Sequence, residues 1–291
     1  MKMFKPLTTV FFTVTVAFAV PACTTAPSAT KAKSAVDNKA LAVKALNETL
    51  VKGNPDAVDT YFGPQYIQHN PGFPNGIEPF KGLVKNLSKS GKFKADFVRV
   101  IADGDLVAFH AKYEGFGPKP MIAFDVFRFE NGKIVEHWDN LIEEQPRNPS
   151  GRTQLDGATE ITDLDKTEAN KAKVREFITK SLINHEKVDM TKYISPVTYL
   201  QHNPMVADGL KGFGAFMGEM AKKGIKMDYS KLHKVIGEGN FVLSMSEGSF
   251  GGKPQAFYDL FRLENGLIVE HWDVIAPMPG PDAKHNEAGK F

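Results

Sequence analysis

Apolar and polar positions alternate along this chain with two different periods, and the periods come in blocks. Val36, Ala40, Val43, Leu46 and Leu50 fall at helical spacing, and the run stops near Gly53. The pattern predicts a short second helix after Pro55 (56–62) and a third over 77–89. From residue 94 the period changes to two, predicting strands at about 94–102, 105–115, 120–129 and 133–142. Asp103-Gly104 and Asn131-Gly132 lie between them as hairpin turns. Helices followed by an antiparallel meander argue for an α+β fold rather than a parallel doubly wound sheet. Helices packed into one face of a curved sheet make a cone with a pocket at its open end.

The same order of elements then runs a second time. Tyr66-Ile67-Gln68-His69-Asn70-Pro71 recurs as Tyr199-Leu200-Gln201-His202-Asn203-Pro204. The segment Asp125 to Asp139 recurs as Asp259 to Asp273 with twelve of fifteen positions identical. Offsets of 133 and 134 residues are too long for a solenoid and describe two tandem copies of one domain. The first is expected over 36–144 and the second over 166–276, with a linker at 145–165 and a tail at 277–291. In the second copy the helices are expected over 173–183 and 210–222, and Glu238-Gly239-Asn240 and Asn265-Gly266 repeat the hairpin turns. Asn148-Pro149-Ser150-Gly151 in the linker is echoed by Asn286-Glu287-Ala288-Gly289 in the tail.

The first 35 residues follow neither period. Lys2 and Lys5 precede an apolar run from Val10 to Val20, the pattern of a secretory signal over 1–22. The run is shorter than the about 20 residues of a membrane-spanning helix. Val20-Pro21-Ala22-Cys23 resembles the lipobox of bacterial lipoproteins. That resemblance implies lipidation at Cys23, a tether over 23–35, and an exported chain anchored to the cell envelope. With Thr24 rather than Asp after the cysteine, it implies the outer membrane in a Gram-negative host. A plain secretory signal with an incidental cysteine is the other reading.

Composition narrows the function classes. The chain has 291 residues, 36 basic and 34 acidic groups and a net charge of +2. Without the signal the balance is 34 against 34, which leaves no electrostatic footprint for nucleic acid. A hydrophobic content of 42% excludes disorder, and a single cysteine excludes a disulfide scaffold.

Tyr-x-Gln-His-Asn-Pro ahead of the third helix and Asp-x-Phe-Arg-x-x-x-Gly-x-Ile-x-Glu-His-Trp-Asp in the last hairpin resemble the SnoaL-like polyketide cyclase family of the nuclear transport factor 2-like superfamily. The resemblance spans both copies and implies two tandem cone-shaped domains, each with helices packed on a curved antiparallel sheet. Alternation puts Asp125, Phe127 and Phe129 on one strand face and Val126 and Arg128 on the other; His137 and Asp139 share a face, and Glu136 and Trp138 share the opposite one. The resemblance implies which face is concave. The first pocket is expected to hold His69, His110, Asp125, His137 and Asp139 with Phe127 in its wall. The second is expected to hold His202, Asp259, His271 and Asp273 with Met245 and Phe261.

An aromatic cone is a low-dielectric place, where carboxylate pKa values rise and histidine values fall toward neutrality, the range that suits general acid–base chemistry. Members of the family close polyketide rings by an intramolecular aldol step without metal or cofactor. By resemblance Asp139 and Asp273 are the acid/base candidates, Asp125 and Asp259 their partners, and the histidines orient or polarise a carbonyl. The expected partner is a small apolar molecule. Three readings remain open: a cofactor-free cyclase or isomerase, a non-catalytic ligand-binding lipoprotein using the same pockets, and a scaffold that pairs through its sheets as a homodimer or an internal pseudo-dimer. Arg128 with Glu136 reads as a cross-strand ion pair. An epoxide-hydrolase-like site would need an arginine, which the expected position lacks: it holds His110 in one copy and Met245 in the other.

Overall fold

The computed structural model describes residues 29–280 and 286–291; the proposed signal and Cys23 lie outside them. The chain forms two five-stranded sheets, each with its own helices. In the first domain α1 (Ala29–Leu46) runs into a wider turn over Asn47–Val51, followed by α2 (Ala57–Tyr61), β1 (Phe62–Gln68) and α3 (Ile77–Ser90). Then come β2 (Lys94–Asp103), β3 (Leu106–Glu114), β4 (Met121–Glu130) and β5 (Lys133–Glu143). The second domain has α4 (Thr167–Phe177), β6 (Leu200–Gln201), α5 (Gly209–Lys222), β7 (Met227–Glu238), β8 (Phe241–Phe250), β9 (Lys253–Glu264) and β10 (Leu267–Pro277).

The meander predicted from the period-two blocks is present in both copies. Asn131 and Asn265 take positive φ next to Gly132 and Gly266, as a two-residue turn of this kind requires. One strand was not visible in the pattern. β1 pairs in parallel with β5 at the sheet edge, giving the order β1-β5-β4-β3-β2, and β6 does the same beside β10. Pro64 hides it, because proline is tolerated in a strand only where its missing N–H faces no partner. In the second domain the short helix α2 is replaced by a single turn at Met190–Lys192.

Each sheet buries both faces. The inner face of the first sheet packs Phe109, Phe127 and Phe129 against Leu46, Leu50, Phe80 and Val84 of the helices. Here the helical stripe departs from expectation: Ala42, Ala45 and Leu46 are buried, whereas Ala40 is exposed. The outer face packs Ile101, Ala108, Phe124, Val126 and Trp138 against Phe241, Leu243, Met245, Leu260 and Trp272 of the second sheet. The two domains therefore sit back to back through their sheets. This double burial gives strands such as β4 an almost unbroken buried pattern rather than strict alternation.

The interface is pseudo-symmetric. Lys234 sits over the Trp138 ring at 4.3 Å, and Arg99 over the Trp272 ring at 4.0 Å. On the same tryptophans stack His69 (4.6 Å) and His202 (4.7 Å).

The expected linker is built into the second domain. Asn148 is buried and donates to the carbonyls of Gln201 and Val206. Arg99 donates to the carbonyls of Leu155, Asp156 and Ala158, binding the linker across the interface. Gly157 has φ +101°, and a Cβ there would meet the Trp272 ring at 2.9 Å. The tail does the same on the first domain: Asn286 donates to the carbonyls of Asn70 and Phe73. The two echoed segments are thus equivalent arms. The arm that leaves domain one braces domain two, and the arm that leaves domain two braces domain one.

Candidate functional site

The residue pair Gln68 and Asn70 explains how the first motif works. At the end of β1 successive side chains alternate, so Gln68 and Asn70 point into the cone and His69 points out. Gln68 donates from its amide to the Tyr66 hydroxyl, which leaves its oxygen to accept from His137 Nδ1 at 2.8 Å. Nδ1 therefore carries a proton, and His137 Nε2 faces Asp125 Oδ1 at 3.1 Å. Tyr113 donates to the other oxygen of Asp125 at 2.8 Å. Asn70 donates to Asp139 Oδ2 at 2.7 Å. Asp125 and Asp139 are direct cross-strand partners, so the two carboxyls share one end of the cavity.

This polar end closes a cavity of about 470 Å³ whose remaining wall includes Leu46, Phe73, Phe80, Phe116, Met121 and Phe127. Volume and lining suit a drug-sized apolar molecule oriented by a few polar groups.

Domain two repeats the network. His271 meets Gln201 Oε1 and Asp259 Oδ1, each at 3.1 Å, and Asn203 donates to Asp273 at 2.7 Å. Tyr229 donates to Asp259 at 3.1 Å. Phe261 lines the cavity as expected. That cavity is only about 50 Å³. Phe216 stands on α5 where α3 carries Leu83, and Phe257 stands in β9 where β4 carries Ala123.

Burial raises the Asp273 carboxyl to about 6, with the nearby Asp259 charge adding and His271 and the Asn203 hydrogen bond opposing. For His271 burial is the largest single influence and lowers its pKa. The Asp259 hydrogen bond and the charges of Asp273 and Asp259 together outweigh it, so the net shift is upward. In domain one a cation replaces this arrangement. Lys290 of the C-terminal arm, almost fully buried, donates to the Asp139 carbonyl at 2.6 Å and lies 3.4 Å from Oδ1. Its counterpart in the linker, Arg152, pairs instead with Asp208 at 2.9 Å, away from Asp273.

Four expected pocket residues lie elsewhere. His110 follows Phe109 on β3; Phe109 faces the helices, so His110 must face the other sheet. There it stacks on Phe124 at 4.4 Å and contacts Arg99 at 3.1 Å. Burial, then the Arg99 charge, pushes its pKa well below the usual histidine value, as suits an uncharged acceptor. Met245 occupies the same interface from β8. His69 and His202 point outward, onto Trp138 and Trp272, and contact Glu136 (2.8 Å) and Glu270 (3.0 Å). Arg128 pairs with Glu136, and Arg262 with Glu270, from the neighbouring strand. The His-Trp-Asp motif is thus divided: His137 and Asp139 build the pocket, while Glu136 and Trp138 build the domain interface. Gln68, Asn70, Tyr113 and their counterparts were missed as site residues. For the first two the signal was present, since both share the inward face of the motif that contains His69.

One donor atom each from Asp125, His137 and Asp139 lies within 4.8 Å of the others, and Asp259, His271 and Asp273 repeat this; such a set could ligate a metal ion. In each triad, however, both ring nitrogens of the histidine are already hydrogen-bonded. In the first, Lys290 also compensates Asp139. No arginine lines either cavity among the described residues.

Residues 43–137 match the model of the SnoaL-like domain. No curated protein matches the chain. Among solved structures, TsrD from Streptomyces laurentii is similar at 19% identity and a TM-score of 0.32, covering 36% of this chain and 88% of its own. An LEH-like epoxide hydrolase from M. tuberculosis is similar at 23% and 0.32, covering 37% and 84%. IdmH from Streptomyces antibioticus is similar at 21% and 0.29, covering 34% and 88%. The match to the SnoaL-like domain thus covers residues 43–137 of the first domain, and the second sheet repeats the strand order of the first.

Proposed function

We propose that the first cavity is a cofactor-free acid–base site for a small apolar carbonyl compound, acting as an aldol-type cyclase or isomerase. One observation supports this best. In an otherwise apolar wall, the polar groups gather at one end as two carboxyls and a histidine, each held by a named partner. Asp139 is the base that takes a proton alpha to a carbonyl. The enolate carbon then forms a bond to a second carbonyl of the same molecule, and the receiving oxygen takes the proton held between His137 and Asp125. One C–H bond and the π bond of the receiving carbonyl break, one C–C and one O–H bond form, and the proton left on Asp139 returns to the His137–Asp125 pair through solvent, with no net redox change. The narrow second cavity serves as a bracing copy.

A second reading is a carrier that binds such a molecule without converting it. Lys290 favours it, because its ammonium already engages Asp139. The experiment is a panel of aromatic and polyketone compounds offered to wild type, Asp139→Asn and Asp273→Asn. Turnover that falls at least about a hundredfold in Asp139→Asn and stays unchanged in Asp273→Asn supports the enzyme. Binding without turnover in all three supports the carrier, and no binding at all defeats both.

We also propose, from the sequence alone, that Cys23 is lipidated and holds the cones at the cell envelope. Cys23→Ala would then move the protein from the membrane fraction to the soluble one; unchanged membrane retention would refute this.

A further inference from the structure

The two domains reach the same hydrogen bond by different routes. In domain one the phenol on Asp125 comes from Tyr113 on β3, whose cross-strand partner on β2 is Ala95. In domain two it comes from Tyr229 on β7, the equivalent of β2, and the partner on β8 is Gly248. The large and small members of the cross-strand pair have exchanged strands. Gly248 has no room for a side chain, because a Cβ there would collide with the Asp228 carbonyl. Around the phenol the packing differs as well. Tyr113 lies among Phe93, Phe97 and Phe116, while Tyr229 stacks on Phe257 at 4.2 Å. Neither the position nor the neighbours are shared. What the copies share is a buried hydroxyl pointed at the carboxyl that faces the histidine.

We propose that Tyr113 and Tyr229 are positioning residues of the two sites: Tyr113 holds Asp125 by Oδ2, and Tyr229, 3.1 and 3.2 Å from Oδ1 and Oδ2, holds Asp259 across both oxygens, so that each carboxyl presents its Oδ1 to the histidine Nε2. Each carboxyl has two acceptor oxygens on a freely rotating torsion. A buried donor fixed by the sheet removes that freedom, and the proton between carboxyl and imidazole is then held on a set line. A role in packing alone would require the ring and not the hydroxyl. The catalytic part of the inference rests on the acid–base reading of the first cavity; the positioning part does not.

The test uses the full chain labelled with 15N-histidine, in wild type, Tyr113→Phe, Tyr229→Phe, and Ala95→Tyr combined with Tyr113→Gly. The readout is the far-downfield proton of each histidine–carboxylate hydrogen bond. Wild type shows two such resonances. Tyr113→Phe loses that of His137 and keeps that of His271, and Tyr229→Phe does the reverse. The double variant, which moves the phenol to the strand that supplies it in domain two, restores the His137 signal. Where a panel compound is turned over, Tyr113→Phe lowers kcat about tenfold with KM unchanged, the size expected for a hydrogen bond to a charged group. Signals unchanged in both phenylalanine variants, or absent from wild type, overturn the proposal. If the double variant does not fold, the phenylalanine variants decide alone. A wild type without turnover defeats the acid–base reading and leaves the resonance test intact.

Discussion

The two domains have the same network at the closed end of the cone and differ in almost everything around it. Domain one has the larger cavity, and the C-terminal arm brings Lys290 to Asp139. Domain two has a nearly filled cavity and a carboxyl, Asp273, that burial raises despite the opposing charge of His271 and that no lysine or arginine engages among the described residues. Larger side chains at two wall positions and an arm cation turned outward are enough to separate the copies. Apart from the tyrosine, which the two copies supply from different strands, the hydrogen-bond network is a property of the repeated sequence. Cavity size and charge compensation belong to residues outside it.

The largest expected difference between the domains lies at their interface. Trp272 is fully buried, donates from its indole to the Asp156 carbonyl and lies under Arg99. Trp138 is also buried, but its indole N–H has no partner among the described residues. Trp272→Ala is expected to cost about 4–5 kcal/mol and Trp138→Ala about 3, by chemical denaturation.

Stability against pH gives the next effect. The Asp273 carboxyl is raised from 3.8 to about 6 in the folded state, so the folded protein binds its proton more tightly than the unfolded chain does. Its contribution is present in full below pH 4 and is lost as pH rises through about 6, an expected difference of about 3 kcal/mol. His271, with its folded pKa raised, likewise contributes stability at acid pH that is lost as pH rises past its folded value. Asp273→Asn should therefore flatten the profile between pH 4 and 7 in calorimetric unfolding. An unchanged slope would contradict the raised Asp273 carboxyl.

The arms provide the smaller effects. Lys290→Met leaves Asp139 with Asn70 as its remaining side-chain donor inside the cone, and is expected to lower stability by about 2–3 kcal/mol. Arg152→Ala breaks a pair that is 30% exposed on both sides and is expected to cost about 0.5–1 kcal/mol. Equal losses in thermal unfolding would mean that the arms are interchangeable, contrary to the asymmetry of their contacts.

Much of this was legible in advance, for identifiable reasons. The duplication could be read because motif identity is kept at a fixed offset. The meander could be read because Asn-Gly turns and a period of two reinforce each other. Strand alternation put His137 and Asp139 on one face, and the family resemblance supplied which face is concave. The same rule, applied one residue further, would have removed His110, since it is adjacent to inward-facing Phe109, and His69, since it is adjacent to Gln68. Tyr113 and Tyr229 left no repeat signal, because the pair exchanged strands between copies. β1 was hidden by Pro64 and by parallel pairing, which has no hairpin turn to announce it.

By itself, then, the sequence determined what local periodicity and repetition can carry: two copies, the order of elements, and which side chains of the last hairpin share a face. Only the tertiary structure decided what each face meets. The outer face of a sheet has no signature of its own until another sheet covers it. That covering turned His69, His110, Met245 and Trp138 into interface residues. Nor could any local pattern bring Lys290 to a carboxyl 151 positions earlier. That contact exists because the arms cross between domains.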